Sequence, residues 1–410
     1  MTFSLHAAQQ RSIKAARARW NFWTGPVRSG KTVAANIAFI ARIMNAGAGD
    51  IWMIGRTLGT LKRNVLEPLR IMTGGAFTYS LATQTARFAG REIYLLGASN
   101  AQAEEKIRGS TAALIYGDEI TLWPEDLFRQ CGLRMSLANS QFFGTTNPGP
   151  PQHWLRLFLD AHAGTTALEF TWSIHENTFL TREFIQTLEQ EFSGLWYKRF
   201  ILGLWVLADG AIYDFFDEAI HTIIERPAVP DWMFCAADYG TVNPTAVGIF
   251  GVLEKPKAGQ PKVWLEDEYY HDSRVTQRTK TDSEYADEVI KWLGPRAIKY
   301  FIVDPSAASW QAELNKRGLP VMDARNEVLD GIRTVSNMLH TREFAIMRGC
   351  KQSIRDMGAY LWDSKAQARG IDKPIKQNDH THDRTRYGLH TLFAQGITTS
   401  LEDAQEAYGW

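Results

Sequence analysis

Along the first half of the chain, short apolar runs closed by a glycine or a polar turn alternate with stretches of helical period. Residues 20–24 read as a strand, and after residues 25–32 the apolar positions Val33, Ile37, Ile40 and Met44 recur at helical spacing. Residues 51–55 read as a second strand, followed by Arg56 and a helical stretch over 58–69. Residues 113–117 form a buried apolar run that ends on Asp118 and Glu119, and 140–144 form another that runs into Thr145. This alternation predicts an α/β fold with a mostly parallel sheet. Residues 206–232 read as a join bounded by prolines, after which the pattern restarts. Three apolar strands are then expected over 233–238, 245–253 and 263–270, a helix around 282–293, and a strand over 300–303 that stops at Asp304. Near the end, Asn378 or Asp379 can cap a helix whose apolar face is Tyr387, Leu389, Leu392 and Phe393.

The composition is that of a folded protein. Of 410 residues, 45% are hydrophobic and 22% charged, which excludes a disordered chain. Three cysteines lie far apart and fit a reducing compartment better than a disulfide framework or a zinc site. No signal peptide is expected, and the longest apolar stretch, 33–43, contains Arg42 and is too short to span a bilayer. The expected location is cytoplasmic. Net charge is zero, but residues 1–205 hold 21 of the 45 Lys and Arg and 15 of the 45 Asp and Glu, so the first part carries +6 and the remainder −6. Two ordinary domains would account for this. So would a cationic part that meets a polyanion and an acidic part that gathers carboxylates for metal ions.

The segment Gly25-Pro26-Val27-Arg28-Ser29-Gly30-Lys31-Thr32 fits G-x-x-x-x-G-K-S/T at every fixed position, between a predicted strand and a predicted helix. Such a loop lets backbone N–H groups approach phosphate oxygens, helped by the positive end of the helix. Lys31 would reach the β- and γ-phosphates, and the Thr32 hydroxyl would bind Mg²⁺. Asp118 would join the Mg²⁺ shell, and Glu119 would polarise the attacking water. Thr145, Thr146 and Asn147 end a strand beside these acids and could sense the γ-phosphate. A turn at residues 147–151 explains the same glycine and prolines, and the two readings are compatible.

In the second half, Asp238, Asp304 and Asp383 could converge, with His380 three residues before Asp383 and Asp379 four before it on one helix face. Phosphodiester cleavage with two divalent ions needs such a cluster of hard oxygen donors. Taken singly, each of these acids reads as a strand end or a helix cap. Glu266 and Glu268, on alternate residues of one strand, are weaker candidates. The order of three linked strands, a helix and a strand ending on an acid resembles the ribonuclease H fold.

Together these blocks resemble the large subunit of tailed-phage terminases. Residues 25–32 resemble that family's variant Walker A, 114–119 its Walker B, and 145–148 its coupling motif. Gly203-Leu204-Trp205 with Gly210-Ala211-Ile212-Tyr213 resembles its domain junction. Asp238-Tyr239-Gly240, Val303-Asp304-Pro305 and residues 380–387 resemble its three nuclease blocks, although Arg384 stands where the family often has Ala. The resemblance implies a P-loop ATPase domain of RecA/ASCE type over 1–205, a junction over 206–232, and a ribonuclease H-like nuclease domain over 233–410. It implies ATP bound by Gly25, Arg28, Ser29, Gly30, Lys31, Thr32, Asp118, Thr146 and Asn147, with Gln9 or Gln10 on the adenine. Mg²⁺ would be held by Thr32 and Asp118, and a second metal site, for Mg²⁺ or Mn²⁺, by Asp238, Asp304, Asp383 and His380. Arg108 is placed either as a finger to a neighbouring subunit or as a surface arginine. The implied partners are double-stranded viral DNA, the portal protein, the terminase small subunit and further copies in a ring. The place of work would be the host cytoplasm and, transiently, the portal vertex of the procapsid. The rival readings are a helicase–nuclease of DNA repair and a capsid-docking ATPase without nuclease activity.

Overall fold

In the computed structural model, residues 5–394 are described, apart from 101, 193, 241, 242 and 378. The described chain divides into two compact units, one of residues 5–207 and 368–371, the other of 208–367 and 372–394.

The first unit is built on eight strands: β1 (Trp20–Thr24), β2 (Asp50–Gly55), β3 (Thr78–Ser80), β4 (Thr85–Phe88), β5 (Arg91–Gly97), β6 (Ala112–Gly117), β7 (Gln141–Thr146) and β8 (Ala167–Phe170). Their order in the sheet is β3-β4-β5-β2-β6-β7-β1-β8. Strands β5, β2, β6, β7, β1 and β8 run parallel, and β3 and β4 add an antiparallel edge. The central strands are largely apolar because both faces are covered, with buried Asn21 the polar position inside β1. Successive residues of β2 enter opposite cores: Ile51 and Met53 join Phe39 and Phe143, while Trp52 and Ile54 join Phe128 and Phe142. The helical stretch expected over 58–69 is observed as Leu58–Leu61 and Glu67–Met72 with a π-helical turn, Lys62–Leu66, between them.

In the second unit, β9 (Thr222–Ile223), β10 (Trp232–Asp238), β11 (Thr245–Val252), β12 (Val263–His271), β13 (Tyr300–Val303), β14 (Val321–Asp323) and β15 (Phe344–Met347) form a sheet of order β14-β13-β10-β11-β12-β15-β9. Strands β10, β11 and β12 are antiparallel neighbours, while β13 lies parallel to β10 with Val303 beside Ala237. This register brings Asp238 and Asp304 to the same end of adjacent strands. The stretch 206–232, expected as a join, contributes β9 to this sheet.

The His380–Phe393 helix packs on β10, β11 and β13 and against the Val328–His340 helix. It differs from the amphipathic helix expected. All residues from Thr381 to His390 are buried, polar ones included, because the helix is covered on more than one side. Asn378 lies outside the described residues, and Asp379 holds the N-cap position without a side-chain cap bond. The three cysteines are buried and unpaired. Among the described residues no helix is long and apolar enough to cross a membrane.

Candidate nucleotide and metal sites

The loop between β1 and the Lys31–Ile43 helix is fixed from outside itself. Gly30 caps the helix at φ 81°, a left-handed conformation that costs glycine nothing. Three side chains hold loop carbonyls: Gln9 Nε2 donates to Gly30 O at 2.9 Å, Trp172 Nε1 to Ser29 O at 2.6 Å, and Asn177 Nδ2 to Arg28 O at 2.7 Å. Arg28 itself sits at φ 57°. With its carbonyls engaged in this way, the loop can turn N–H groups toward an anion. Gln9 is buried, and its Oε1 also accepts from His6 N. Gln10 is exposed and donates to Leu5 O. Of the two glutamines, the structure therefore sets Gln9 against the loop and Gln10 away from it.

Lys31 Nζ donates to Pro26 O at 2.9 Å and to Asn147 Oδ1 at 2.7 Å. Burial pushes its pKa down to about 8, against the opposing pull of Asp118 and Glu119. Asp118 is buried at the end of β6, and burial raises its pKa. Its Oδ1 accepts from the Thr145 hydroxyl at 2.6 Å and its Oδ2 from Asn64 Nδ2 at 3.1 Å. Glu119 follows in a left-handed conformation, φ 53°, which is strained for a side-chain-bearing residue. The Thr146 and Thr121 hydroxyls lie 2.7 Å apart. The three consecutive residues at the end of β7 thus hold three different parts of the site: Thr145 the acid, Thr146 the turn after it, Asn147 the lysine. Thr32 is half-buried in the first turn of the helix. A hydroxyl and a carboxylate flanking an anion loop fit Mg²⁺ in donor chemistry. Arg108 is 58% exposed and pairs with Glu104 on its own helix at 3.0 Å.

In the second unit, His380 Nδ1 lies 2.6 Å from Asp238 Oδ2. Burial raises the pKa of Asp238, and the charges of Asp383 and Asp379 add to that rise. Burial alone would lower His380, but its bond to Asp238 and the surrounding acids raise it above the usual imidazole value. Asp304 Oδ1 accepts from Ser306 N at 2.7 Å. Although burial opposes it, this bond and those from Tyr387 and Asn326 hold Asp304 below the usual carboxylate value. Asp383 accepts from Arg386 at 2.9 Å, and Lys376 Nζ stands 3.4 Å from Asp383 and 3.3 Å from Asp379. The Tyr387 phenol feels Asp383, Asp238 and Asp304 together, and burial and those charges hold it protonated. Among the described residues, no three His, Cys, Asp or Glu side chains are set to hold one ion as they stand. The donors fit hard divalent cations in kind; Lys376 stands beside Asp379 and Asp383, Arg386 on Asp383, and His380 on Asp238. Glu266 and Glu268 are engaged elsewhere. Glu266 accepts from Trp264 at 2.6 Å and Arg226 at 2.5 Å, and Glu268 accepts from Ser353 and lies 3.6 Å from buried Arg384.

Asn64, Thr121, Trp172, Asn177, Lys376 and the Tyr387 hydroxyl were not legible as site residues in the sequence. Most meet their partners from dozens of positions away, beyond the reach of any local pattern.

By fold, the chain is a P-loop ATPase-type α/β unit followed by a ribonuclease H-like unit. A family model described as the terminase large subunit, T4likevirus-type, N-terminal, matches residues 23–220. Two solved structures of the large terminase from a thermophilic bacteriophage match nearly all of the chain, one in complex with ADP and one with ATP-γ-S. Each is 32% identical, superposes with a TM-score of 0.87, and is aligned over 95% of this chain and 99% of its own. The chain belongs to the large terminase family. No curated protein matches it by sequence.

Proposed function

We propose that the chain hydrolyses ATP at the first unit's loop to drive double-stranded viral DNA into a procapsid, and cuts concatemeric DNA at the second unit's carboxylates. The observation that carries the reading is the junction at the end of β7, where Thr145 holds Asp118 and Asn147 holds Lys31. A γ-phosphate entering between these groups would displace Asn147 from Lys31. The strand end would then respond to the state of the nucleotide.

In this reading Lys31, Gly25, Gly30, Ser29, Arg28 and Gln9 shape the phosphate site. Thr32 and Asp118 hold Mg²⁺, and Glu119 orients the attacking water. Mg²⁺ bound there supplies charge neutralisation on the phosphates. Thr146 fixes the turn that carries Glu119. Arg108 serves a neighbouring copy. Asp238, Asp304 and Asp383, with His380, hold divalent ions in the second unit, where such ions supply a nucleophile and stabilise the leaving oxygen. The functional division is set at 1–205, 206–232 and 233–410. The partners are viral DNA, the portal, the small subunit and further copies in a ring, working in the host cytoplasm and at the portal vertex.

The test is ATP-dependent protection of DNA from external nuclease, using purified procapsids. Wild type should protect DNA. Glu119→Gln should bind ATP yet neither turn it over nor protect DNA. Protection by Glu119→Gln would overturn the reading.

A further inference from the structure

Asn64 lies in the π-helical turn, Lys62–Leu66, that interrupts the helix after β2. Turns of this kind are rare, and those that occur gather at functional sites. The segment is seated firmly. Thr57 and Thr60 form a reciprocal capping box at its start. Leu61, Val65, Leu66 and Leu69 are fully buried. At Gly55, the last residue of β2, a Cβ would fall 2.8 Å from Leu61 Cβ, so only glycine lets the helix approach so closely.

From this seat Asn64 Nδ2 donates to Asp118 Oδ2 at 3.1 Å, while Thr145 takes Oδ1 of the same carboxylate. The amide has one workable orientation, because the reverse would set its oxygen against a carboxylate oxygen. In that orientation Asn64 Oδ1 is buried and has no hydrogen-bond partner. A buried acceptor without a donor is costly and calls for an explanation. Here it stands beside an acid assigned to a hydrated metal ion.

We propose that Asn64 is a positioning residue of the ATPase site: its amide N–H fixes the Asp118 carboxylate, and its carbonyl accepts a hydrogen bond from a water of the nucleotide-loaded site. This rests on the reading of Asp118 given above. Asn64 does not touch the nucleotide; it acts by setting how Asp118 meets the ion and its water.

The test uses the full chain with Asn64→Leu, which keeps the branched heavy-atom skeleton and removes both polar atoms, and Asn64→Ser as a second, smaller variant. Three quantities are read: kcat and KM for ATP at saturating Mg²⁺, the Mg²⁺ concentration that half-saturates binding of a fluorescent ADP analogue, and Tm without nucleotide. Asn64→Leu should lower kcat about tenfold, the scale of one charge-assisted hydrogen bond, with KM within about twofold. It should also raise the half-saturating Mg²⁺ severalfold while leaving Tm close to wild type. If Asn64→Leu loses Tm, the same criteria apply to Asn64→Ser. Wild-type Mg²⁺ dependence in whichever variant keeps its Tm, or a loss of Tm in both with that dependence unchanged, overturns the proposal. Failure of the ATPase reading is distinguishable: wild type would then show no hydrolysis dependent on Lys31, and the Mg²⁺ dependence of ADP binding would still decide the role of Asn64.

Discussion

Lys31 donates to Asn147 at 2.7 Å, joining the phosphate loop to the end of β7 across 116 residues of chain. The acceptor is neutral, so the ammonium is held without its charge being cancelled. Asn147→Asp would replace it with a carboxylate at ion-pair distance, and a phosphate would have to compete with that charge. Asn147→Asp should weaken ATP binding at least about tenfold, and more than Asn147→Ala does. Equilibrium binding of a fluorescent ATP analogue measures both, and equal affinities for the two variants would refute the argument.

With Lys31 proposed to meet the phosphates, its depressed pKa, about 8, should give ATP binding a pH dependence. In the empty site the lysine is charged below pH 8 and increasingly neutral above it. A polyphosphate favours the charged form, so binding near pH 8 should take up a proton. Affinity should fall as pH rises through 8, by up to about tenfold per unit. Calorimetry in two buffers of different ionisation heat counts the proton. Affinity that stays constant from pH 7.5 to 9.5 would exclude this role for Lys31.

Acid should destabilise the second unit through His382. Its Nε2 lies 2.9 Å from Asp356 O and must donate to it, which leaves Nδ1 as the acceptor nitrogen. Nδ1 is buried without a partner, and burial pulls the pKa from 6.5 to about 4. The folded pKa is depressed, so the unfolded chain binds the proton first. Stability is complete above pH 6.5 and falls as pH drops from 6.5 toward 4, by about 1.4 kcal/mol per unit for this group. His382→Gln retains an N–H donor and does not titrate. Urea unfolding against pH should show its slope reduced by about one proton, and an unchanged slope would contradict the assignment.

Arg108 is exposed and pairs with Glu104 on its own helix at 3.0 Å, a geometry open both to a surface arginine and to one that reaches a neighbouring copy. An arginine finger supplied in trans contributes about 10³–10⁵ in rate. Mixing Arg108→Ala subunits with Glu119→Gln subunits should restore part of the lost ATPase. No recovery in a verified mixed assembly would make Arg108 a surface residue.

Much of this was legible in the sequence, and the limits have physical causes. Strands β1, β2, β6 and β10 announced themselves because both faces are buried and their apolar runs end at polar turns. Strands β3 and β4 did not: Thr78, Tyr79 and Ser80 are short, partly exposed edge residues with little apolar signal. The motif at residues 25–32 named Lys31 and Thr32, since phosphate chemistry fixes that spacing. Nothing in it pointed to Trp172 or Asn177, which hold its carbonyls from 143 and 149 residues away. The π turn at Asn64 was hidden because the apolar positions around it still suit an ordinary helix. The period of the 380–393 helix reveals its apolar face alone. Its polar face is buried as well, with Arg384 donating to Ser353 and Thr381 to Asp356. Such pairing depends on tertiary neighbours, not on period.

The central claim is that one chain carries two separate chemistries, and one crossed experiment tests it most directly. ATP hydrolysis and Mg²⁺- or Mn²⁺-dependent cutting of plasmid DNA are measured side by side for wild type, Lys31→Ala and Asp304→Ala. Asp304 directly follows β13, whose last residue Val303 lies beside Ala237, the neighbour of Asp238, in the second sheet, whereas Lys31 opens a helix of the first unit. Asp304→Ala should cut no DNA and hydrolyse ATP at close to the wild-type rate, and Lys31→Ala should do the reverse. Normal cutting by Asp304→Ala, or normal hydrolysis by Lys31→Ala, would contradict the account.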